Sequence, residues 1–525
     1  MTKQNFIQGT MILVVAGLVT RALGTIYRIV LSRFIGAEAI GLYQMAFPTM
    51  IMLITIVTAG LPIAVSKLVA EAEASRDQLK VKKVLWLALF LVGSIAIITS
   101  ILFYFSIPFI SKYLLTDERV SLSLYAIVPI IPIISISSVL RGYYQGKQNM
   151  LPSATSTIIE TIFRMISGIA LSFYFLPYGP EYASAGAMIG MVIGEIAGNI
   201  ILLIYYHFNR SKSNKNYQFN YFSNFFDRGI RKQLSRIAVP VTTSQIIGSI
   251  AYFIEPGVVA HSLAIAGIST AMATAQYGQL AGMALLVTTF PTVVTYSLSV
   301  SLVPAVSEAA AKNNSFLIYK RLHQALKFAF IIGFPAATLM FIMADPIAIL
   351  LFDNTQVGHL IKIIAPFAIF LYIQRPLAAT LQGLDHAKES MKNSIIGAIS
   401  KTIAIVILAS RPELGIDGVA IALNLGMTLV TILHFNSIIR IIGYSLQLKT
   451  LSLIIFSTTI VGYLSYYLLH HSFLDLHLGF RIIVILLFSS IAYFYLLLFF
   501  KIIKKQDIER IPWIGAKIAN ILPIK

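Results

Sequence analysis

Apolar runs of about twenty residues recur from one end of this 525-residue sequence to the other, each long enough to cross roughly 30 Å of hydrocarbon. In lipid, backbone N–H and C=O groups must be satisfied within the segment itself, and uninterrupted apolar runs meet that demand as α-helices. The expected fold class is therefore an all-α polytopic membrane protein. Composition agrees: 57% of residues are hydrophobic, mean hydropathy is +0.82, and 12% are charged where a soluble domain carries about 25%. Cysteine is absent, which excludes disulfides, thiolate metal sites and cysteine nucleophiles. The first run, roughly Phe6 to Ile35, is too long for a signal-peptide core and contains Arg21, so it reads as a retained first helix.

The pattern predicts about fourteen transmembrane helices, near 7–33, 41–67, 84–106, 120–146, 152–176, 182–207, 235–262, 277–307, 323–343, 357–384, 390–409, 416–439, 448–470 and 479–501. A net charge of +19 could point to nucleic acid, but the basic residues sit mostly in short loops. With a cytoplasmic N-terminus, the tails and even-numbered loops hold 29 of the 40 Lys and Arg, and the outward loops hold six. That asymmetry is the positive-inside rule; it supports an even number of spans and places both termini in the cytoplasm.

The longest inward loop separates six helices from eight. The expected organisation is an N-lobe over 1–207, a basic linker over 208–234, a C-lobe over 235–440, two further helices over 441–501 and a basic tail over 502–525. Three echoes suggest a parallel repeat. Ala64-Val65-Ser66-Lys67 resembles Ala305-Val306-Ser307-Glu308, Gln145-Gly146 matches Gln382-Gly383, and Gly186-Ala187-Met188-Ile189 resembles Gly418-Val419-Ala420-Ile421, at offsets of 241, 237 and 232. No Lys, Arg, Asp or Glu lies between Leu451 and Leu469 or between Ile482 and Phe500, so the last two helices read as peripheral spans.

Charges inside the spans cost about 2.5–3.5 kcal/mol each at the bilayer centre, so they should face a cavity or a partner. The cations are Arg21, Arg28, Arg164, Arg375 and Lys401; the acids are Glu160, Glu195 and Glu255. Arg21 and Arg28, seven apart, share a helix face, and Glu160 and Arg164 form an i,i+4 pair. The cationic excess suits a phosphorylated or pyrophosphorylated headgroup, because guanidinium forks match phosphate oxygens. The plainer reading is structural ion pairing, strongest for Glu160 and Arg164, or snorkelling, strongest for Arg28 and Arg33. Gly186, Gly190, Gly194 and Gly198 form a small-residue stripe that lets a neighbouring helix approach. Glu255-Pro256 and Arg375-Pro376 join a buried charge to a kink-forming residue.

No phosphate-binding loop, HExxH spacing or acid–base constellation is present, and no loop could hold a nucleotide-binding domain. The chain then needs no resident cofactor, and its driving force would be a Na+ or H+ gradient, the membrane potential or substrate consumption.

Thr20-Arg21-Ala22-Leu23-Gly24, Arg28, Arg33-Phe34-Ile35-Gly36, Gly41-Leu42-Tyr43 and Gly60-Leu61-Pro62-Ile63-Ala64-Val65-Ser66-Lys67-Leu68-Val69-Ala70-Glu71 resemble the stage V sporulation protein B family, as do Leu140-Arg141-Gly142-Tyr143-Tyr144-Gln145-Gly146 and Gln382-Gly383. This is the polysaccharide-transporter branch of the multidrug/oligosaccharidyl-lipid/polysaccharide exporter superfamily. The resemblance implies two six-helix lobes around a V-shaped cavity, two extra helices forming a groove for a lipid tail, and a place in the bacterial cytoplasmic membrane. It implies flipping of an undecaprenyl-pyrophosphate-linked saccharide, with the peptidoglycan precursor lipid II the leading candidate and enzymes of cell-wall synthesis as partners. Arg21 and Arg28 match the placement of first-helix cavity arginines in lipid II-flipping relatives. The alternatives are a flippase for capsule or teichoic-acid precursors, a cation-coupled drug exporter, a polytopic glycan-processing enzyme, and a scaffold for wall-synthesis enzymes. Short outward loops speak against the enzyme, the cationic excess against the exporter, and the buried charges against the scaffold.

Overall fold

The computed structural model describes residues 6–58, 60–210, 228–472 and 475–503, and every regular element among them is a helix. Among the described residues, twelve stretches are long and apolar enough to cross a membrane, thirteen if the pair Val120–Ile127 and Ile130–Gly146, bent by 40°, counts as one span. The first of the twelve is Met11–Ala74, whose 64 residues would make about 96 Å of straight helix, three times the hydrocarbon thickness. Gly36 resolves this. Its φ of 79° and ψ of 175° lie in a region essentially reserved for glycine, and they divide the stretch into two helices, which brings the count to the expected fourteen.

We number the spans α1 (6–35), α2 (37–58 with Leu61–Ala74), α3 (Gln78–Phe109), α4 (Val120–Ile127 with Ile130–Gly146), α5 (Leu151–Phe175), α6 (Pro180–Arg210) and α7 (Arg228–Ile265). They continue as α8 (270–311), α9 (Ser315–Ile342), α10 (Thr355–Gly383), α11 (Ala387–Ala409), α12 (Gly415–Ile442), α13 (Leu448–His471) and α14 (Leu478–Phe499). Local chemistry fixes several starts: Asp77 accepts from the Lys80 amide, and Asn314 from that of Leu317. Most of the basic linker expected over 208–234 lies outside the described residues, and its last seven residues open α7. The tail from residue 504 onward also lies outside them.

Two elements differ from expectation. The eighth span is not a continuous helix over 277–307: it starts at Thr270, passes through a π-helical turn at Gly278–Ala284, and restarts at Thr292. Pro291 caps the restart, since it has no N–H to continue the ladder. A short helix, Ala344–Phe352, follows α9; left-handed Asp353 ends it, and Asn354 begins α10 by accepting from the Gln356 amide.

The described chain divides into two compact units: residues through Gly282 with Ser410–Ile416, and Met283–Ala409 with the residues from Asp417. In the first unit the glycine stripe of α6 lies against α5. A Cβ on Gly190 would meet the Gly168 Cα at 2.3 Å, and one on Gly194 would meet the Glu160 carbonyl at 2.7 Å. The helices therefore touch backbone to backbone, which is how small residues hold membrane helices together.

The second unit repeats these packings. Gly186 on α6 lies on the backbone of Leu171 and Ser172; Gly418 on α12 lies on that of Leu408 and Ala409. Gly194 seats the Arg164 side chain, and Gly426 seats that of Lys401. Asn199 donates to the Ile133 carbonyl at 2.8 Å, and Thr431 to that of Phe370 at 2.9 Å. Matched positions are 232 apart on α6 and α12 and 237 apart on α4–α5 and α10–α11. Gly146 against Val69 and Gly383 against Val306 extend the second offset to α2 and α8, one turn away from the sequence echo at 241. In the second unit α13 also packs on α9 and on α14: Gly462 lies against Thr338, and the Ser465 and Ser489 hydroxyls are 2.7 Å apart.

Candidate functional site

In the first unit α4, α5 and α6 bring four charges together. Glu160, buried on α5, accepts from the Arg141 Nη2 of α4 at 2.7 Å and lies 3.4 Å from the Arg164 Nη1. The same Arg141 nitrogen is 3.9 Å from the carboxylate of Glu195, which is 3% exposed on α6. The Ser137 hydroxyl, one turn before Arg141, donates to Glu195. Buried carboxylates persist only when paired and hydrogen-bonded, and this arrangement supplies both. The i,i+4 partner Arg164 is the looser of the two contacts to Glu160; it also reaches the Thr161 hydroxyl at 3.3 Å.

Arg164 joins this cluster to a second group. Tyr43 of α2 lies within electrostatic reach of both Arg164 and Arg28 of α1. Tyr252 of α7 lies within reach of Arg28 and Glu255, and Tyr277 of α8 within reach of Glu255. Tyr27 of α1 sits within reach of Arg164, its hydroxyl buried against Gly168 without a hydrogen-bond partner. Of the sequence-predicted residues, Arg164, Glu160 and Glu195 thus share one cluster through Arg141, while Arg28 and Glu255 act electrostatically on the tyrosines Tyr43, Tyr252 and Tyr277. Arg21 is exposed on α1 seven residues before Arg28.

The remaining two lie in the second unit. Arg375 is exposed on α10, its guanidinium 5.5 Å above the Tyr296 ring in a cation–π arrangement. Lys401 is half-buried on α11 beside Gly426, in the place Arg164 takes beside Gly194.

Sequence reasoning did not single out Arg141, which it counted with a helix end, nor Ser137. It also passed over a cluster at the start of α4. Asp117, 3% exposed, accepts from the Arg119 Nε at 3.0 Å and Nη2 at 2.9 Å and from the Thr274 hydroxyl at 2.7 Å, while Arg119 Nη1 donates to Glu38 at 2.6 Å. The hydrogen bond to Asp117, helped by Glu38, holds the Arg119 guanidinium above its usual range despite partial burial. This knot ties the first turn of α2 to α4 and to the opening of α8.

Stacked membrane spans that carry charges between them, in two units of matching internal packing, define a multi-pass membrane protein with the fold of the MOP superfamily transporters. Its fold is that of a solved "Lipid II flippase MurJ, inward closed conformation" (TM-score 0.68, 16% identity, 93% of this chain and 98% of that one). It is also that of an inward-facing multidrug resistance MATE family transporter (TM-score 0.65, 16% identity, 80% and 94%). The family described as polysaccharide biosynthesis protein matches residues 6–271, and the family MatE matches 261–407. Stage V sporulation protein B of Bacillus subtilis is 41% identical over 98% of this chain and 99% of its own, and the chain belongs to that protein's family. Lipid II flippase MurJ of Bacillus subtilis is 23% identical over 85% of this chain and 84% of its own.

Proposed function

We propose that this chain is a flippase that carries an undecaprenyl-pyrophosphate-linked saccharide from the inner to the outer leaflet of the bacterial cytoplasmic membrane by alternating access, with lipid II as the substrate. The observation that carries this reading is that Arg28 and Arg164, on two different spans, both act electrostatically on the buried Tyr43. Two guanidinium groups acting on the same region of a membrane protein suit a diphosphate, whose oxygens can accept from guanidinium forks. Arg21 in the first unit and Arg375 and Lys401 in the second are the further headgroup-binding cations of this reading. Glu160, Glu195 and Glu255 hold the cations in position or couple an ion to transport. The Lys and Arg distribution supports cytoplasmic termini, and the matched packings support two repeated six-helix lobes followed by two helices that guide the lipid tail.

The test is exposure of lipid II at the outer leaflet, read with an external probe in cells depleted of this protein. The reading expects exposure to fall on depletion, to be restored by the natural chain, and not to be restored by the Arg28→Ala/Arg164→Ala double variant. Unchanged exposure would contradict lipid II as the substrate. A second substrate class has its own support: the 41% identical relative is not named for lipid II, whereas the 23% identical one is. Teichoic-acid and capsule precursors are then the lipid-linked saccharides to measure in the same way.

A further inference from the structure

The repeat separates what packing requires from what it does not. Carried across by the offsets of 237 and 232, Arg164 becomes Lys401, but Arg141 becomes Ala378, Glu160 becomes Gly397 and Glu195 becomes Met427. The second unit closes the α11–α12 interface without these charges: Gly397 packs against Val430, where Glu160 packs against Gly198. Since the same helix pair forms without them, the two carboxylates and Arg141 are not needed to assemble it. Burying them costs free energy that an apolar interface of similar volume avoids.

The site also holds unused polar capacity. Asn199, one turn beyond Glu195 on α6, is 7% exposed; its amide nitrogen donates to Ile133, one turn before Ser137, and its Oδ1 has no hydrogen-bond partner. The Arg141 Nε is likewise buried without a partner. Both atoms belong to residues of the α4–α6 interface that holds Glu195.

The charge count of the cluster is balanced only while Arg164 contributes. Facing Glu195 are Arg141 and Ser137 from α4, Glu160 and Arg164 from α5, and Asn199 from its own helix. Beyond Arg164 lie Tyr27 and Tyr43, both uncharged phenols. Arg164 is the member held least tightly, at 3.4 Å from Glu160 with 28% of its side chain exposed. Should an anion draw Arg164 away, two carboxylates would share one guanidinium, leaving a buried net charge of one unit.

We propose that the Glu160–Glu195 pair, bridged by Arg141, is a proton-binding site whose occupancy is linked to anion binding at Arg164: when a phosphate group engages Arg164, the pair takes one proton from water. Both carboxyl groups face the one Arg141 nitrogen, so the proton is assigned to the pair and not to either residue. Linkage makes the effect reciprocal: protonation of the pair frees Arg164 and tightens anion binding. This rests on the reading of Arg164 as a phosphate-binding residue, but the proton site itself can be tested without any ligand.

The test is infrared difference spectroscopy of the full chain in liposomes, following the C=O stretch of protonated carboxyl groups as pH is lowered. Arg164→Gln mimics loss of the cation and should move the appearance of the band upward by about 1–3 pH units, the effect expected of removing a nearby opposite charge. Adding Glu195→Gln or Glu160→Gln to that variant should abolish the shifted band. Thermal unfolding of each variant verifies that it is folded, and Arg164→Lys should restore the natural titration. An unshifted band in Arg164→Gln would overturn the linkage, and a shifted band that survives both glutamine substitutions would overturn the site. Undecaprenyl pyrophosphate is then added to the natural chain. A rise in the band at constant pH supports the full proposal. No rise, with the variant shift intact, keeps the proton site and overturns its link to phosphate.

Discussion

At the scale of single residues, Arg141 has the most exacting position. One nitrogen serves Glu160 at 2.7 Å and Glu195 at 3.9 Å, and among the described residues neither acid has another cation as close. Arg141→Ala leaves two buried carboxylates with one loosely held guanidinium. Breaking a buried pair from one side typically costs about 3–5 kcal/mol, and with 26% of the Arg141 side chain exposed the low end, about 3 kcal/mol, is expected. A clear drop in the unfolding midpoint of the purified variant is the readout, and a midpoint within a degree of the natural chain would contradict it. Tyr27 makes the opposite case. Its hydroxyl is buried without a hydrogen-bond partner, so Tyr27→Phe removes a polar atom that gains nothing, and stability should hold or rise by up to about 1 kcal/mol in the same measurement. Glu160, Arg164 and Glu195 were legible in the sequence because charges inside apolar runs stand out. Arg141 was not: it lies near a helix end, 19 residues from Glu160 and 54 from Glu195, and only folding brings them together. Asp117 was hidden for a related reason. Beside Glu118 and Arg119 in a short connection it reads as solvated, yet Thr274 and Arg119 enclose it.

At the scale of elements, the glycines separate into those that a neighbour needs and those that none does. A Cβ on Gly190 would lie 2.3 Å from the Gly168 Cα, so Gly190→Ala must push α5 and α6 apart, at a cost of about 1–3 kcal/mol. Nothing lies within 4 Å of a Cβ on Gly93 in α3, so Gly93→Ala should be neutral or stabilise by up to about 1 kcal/mol. Thermal unfolding of the pair tests the contrast, which equal shifts would contradict. Gly36→Ala carries a backbone penalty instead: its space is open, but φ of 79° with ψ of 175° costs a residue with a side chain about 1–3 kcal/mol. The spans themselves were visible as apolar runs, because lipid enforces continuous helix. The break in α8 was not, since its π-helical turn leaves the hydropathy of the run unchanged and Pro291 differs in no obvious way from prolines that merely kink. The short helix Ala344–Phe352 falls in the connection left between the expected spans 323–343 and 357–384: a left-handed Asp353 ends it, and a backbone angle leaves little mark on composition.

At the scale of the whole molecule, two of the three sequence echoes mark packing contacts, and the third, at 241, lies one turn out of the packing register. Gln145-Gly146 and Gln382-Gly383 stand 237 apart because Gly146 and Gly383 each admit a valine of a neighbouring helix, Val69 and Val306. Carrying that offset along the chain pairs Arg164 with Lys401, a correspondence written in the sequence but visible only once the glycines beneath them are known. The repeat holds where backbone meets backbone and lapses where the first unit carries its acid pair. That difference is the basis for assigning the first unit a task beyond assembly. The central claim is that this chain moves a diphosphate-linked lipid, and that Arg28 and Arg164 bind it. The most direct measurement is transfer of undecaprenyl-pyrophosphate-linked saccharide between leaflets of liposomes containing the purified full chain. The account predicts transfer well above protein-free liposomes, reduced about tenfold or more in Arg28→Ala/Arg164→Ala, as loss of charge-assisted hydrogen bonds worth about 1.5–3 kcal/mol would give. Transfer no faster than in protein-free liposomes, or a folded double variant as fast as the natural chain, would contradict it.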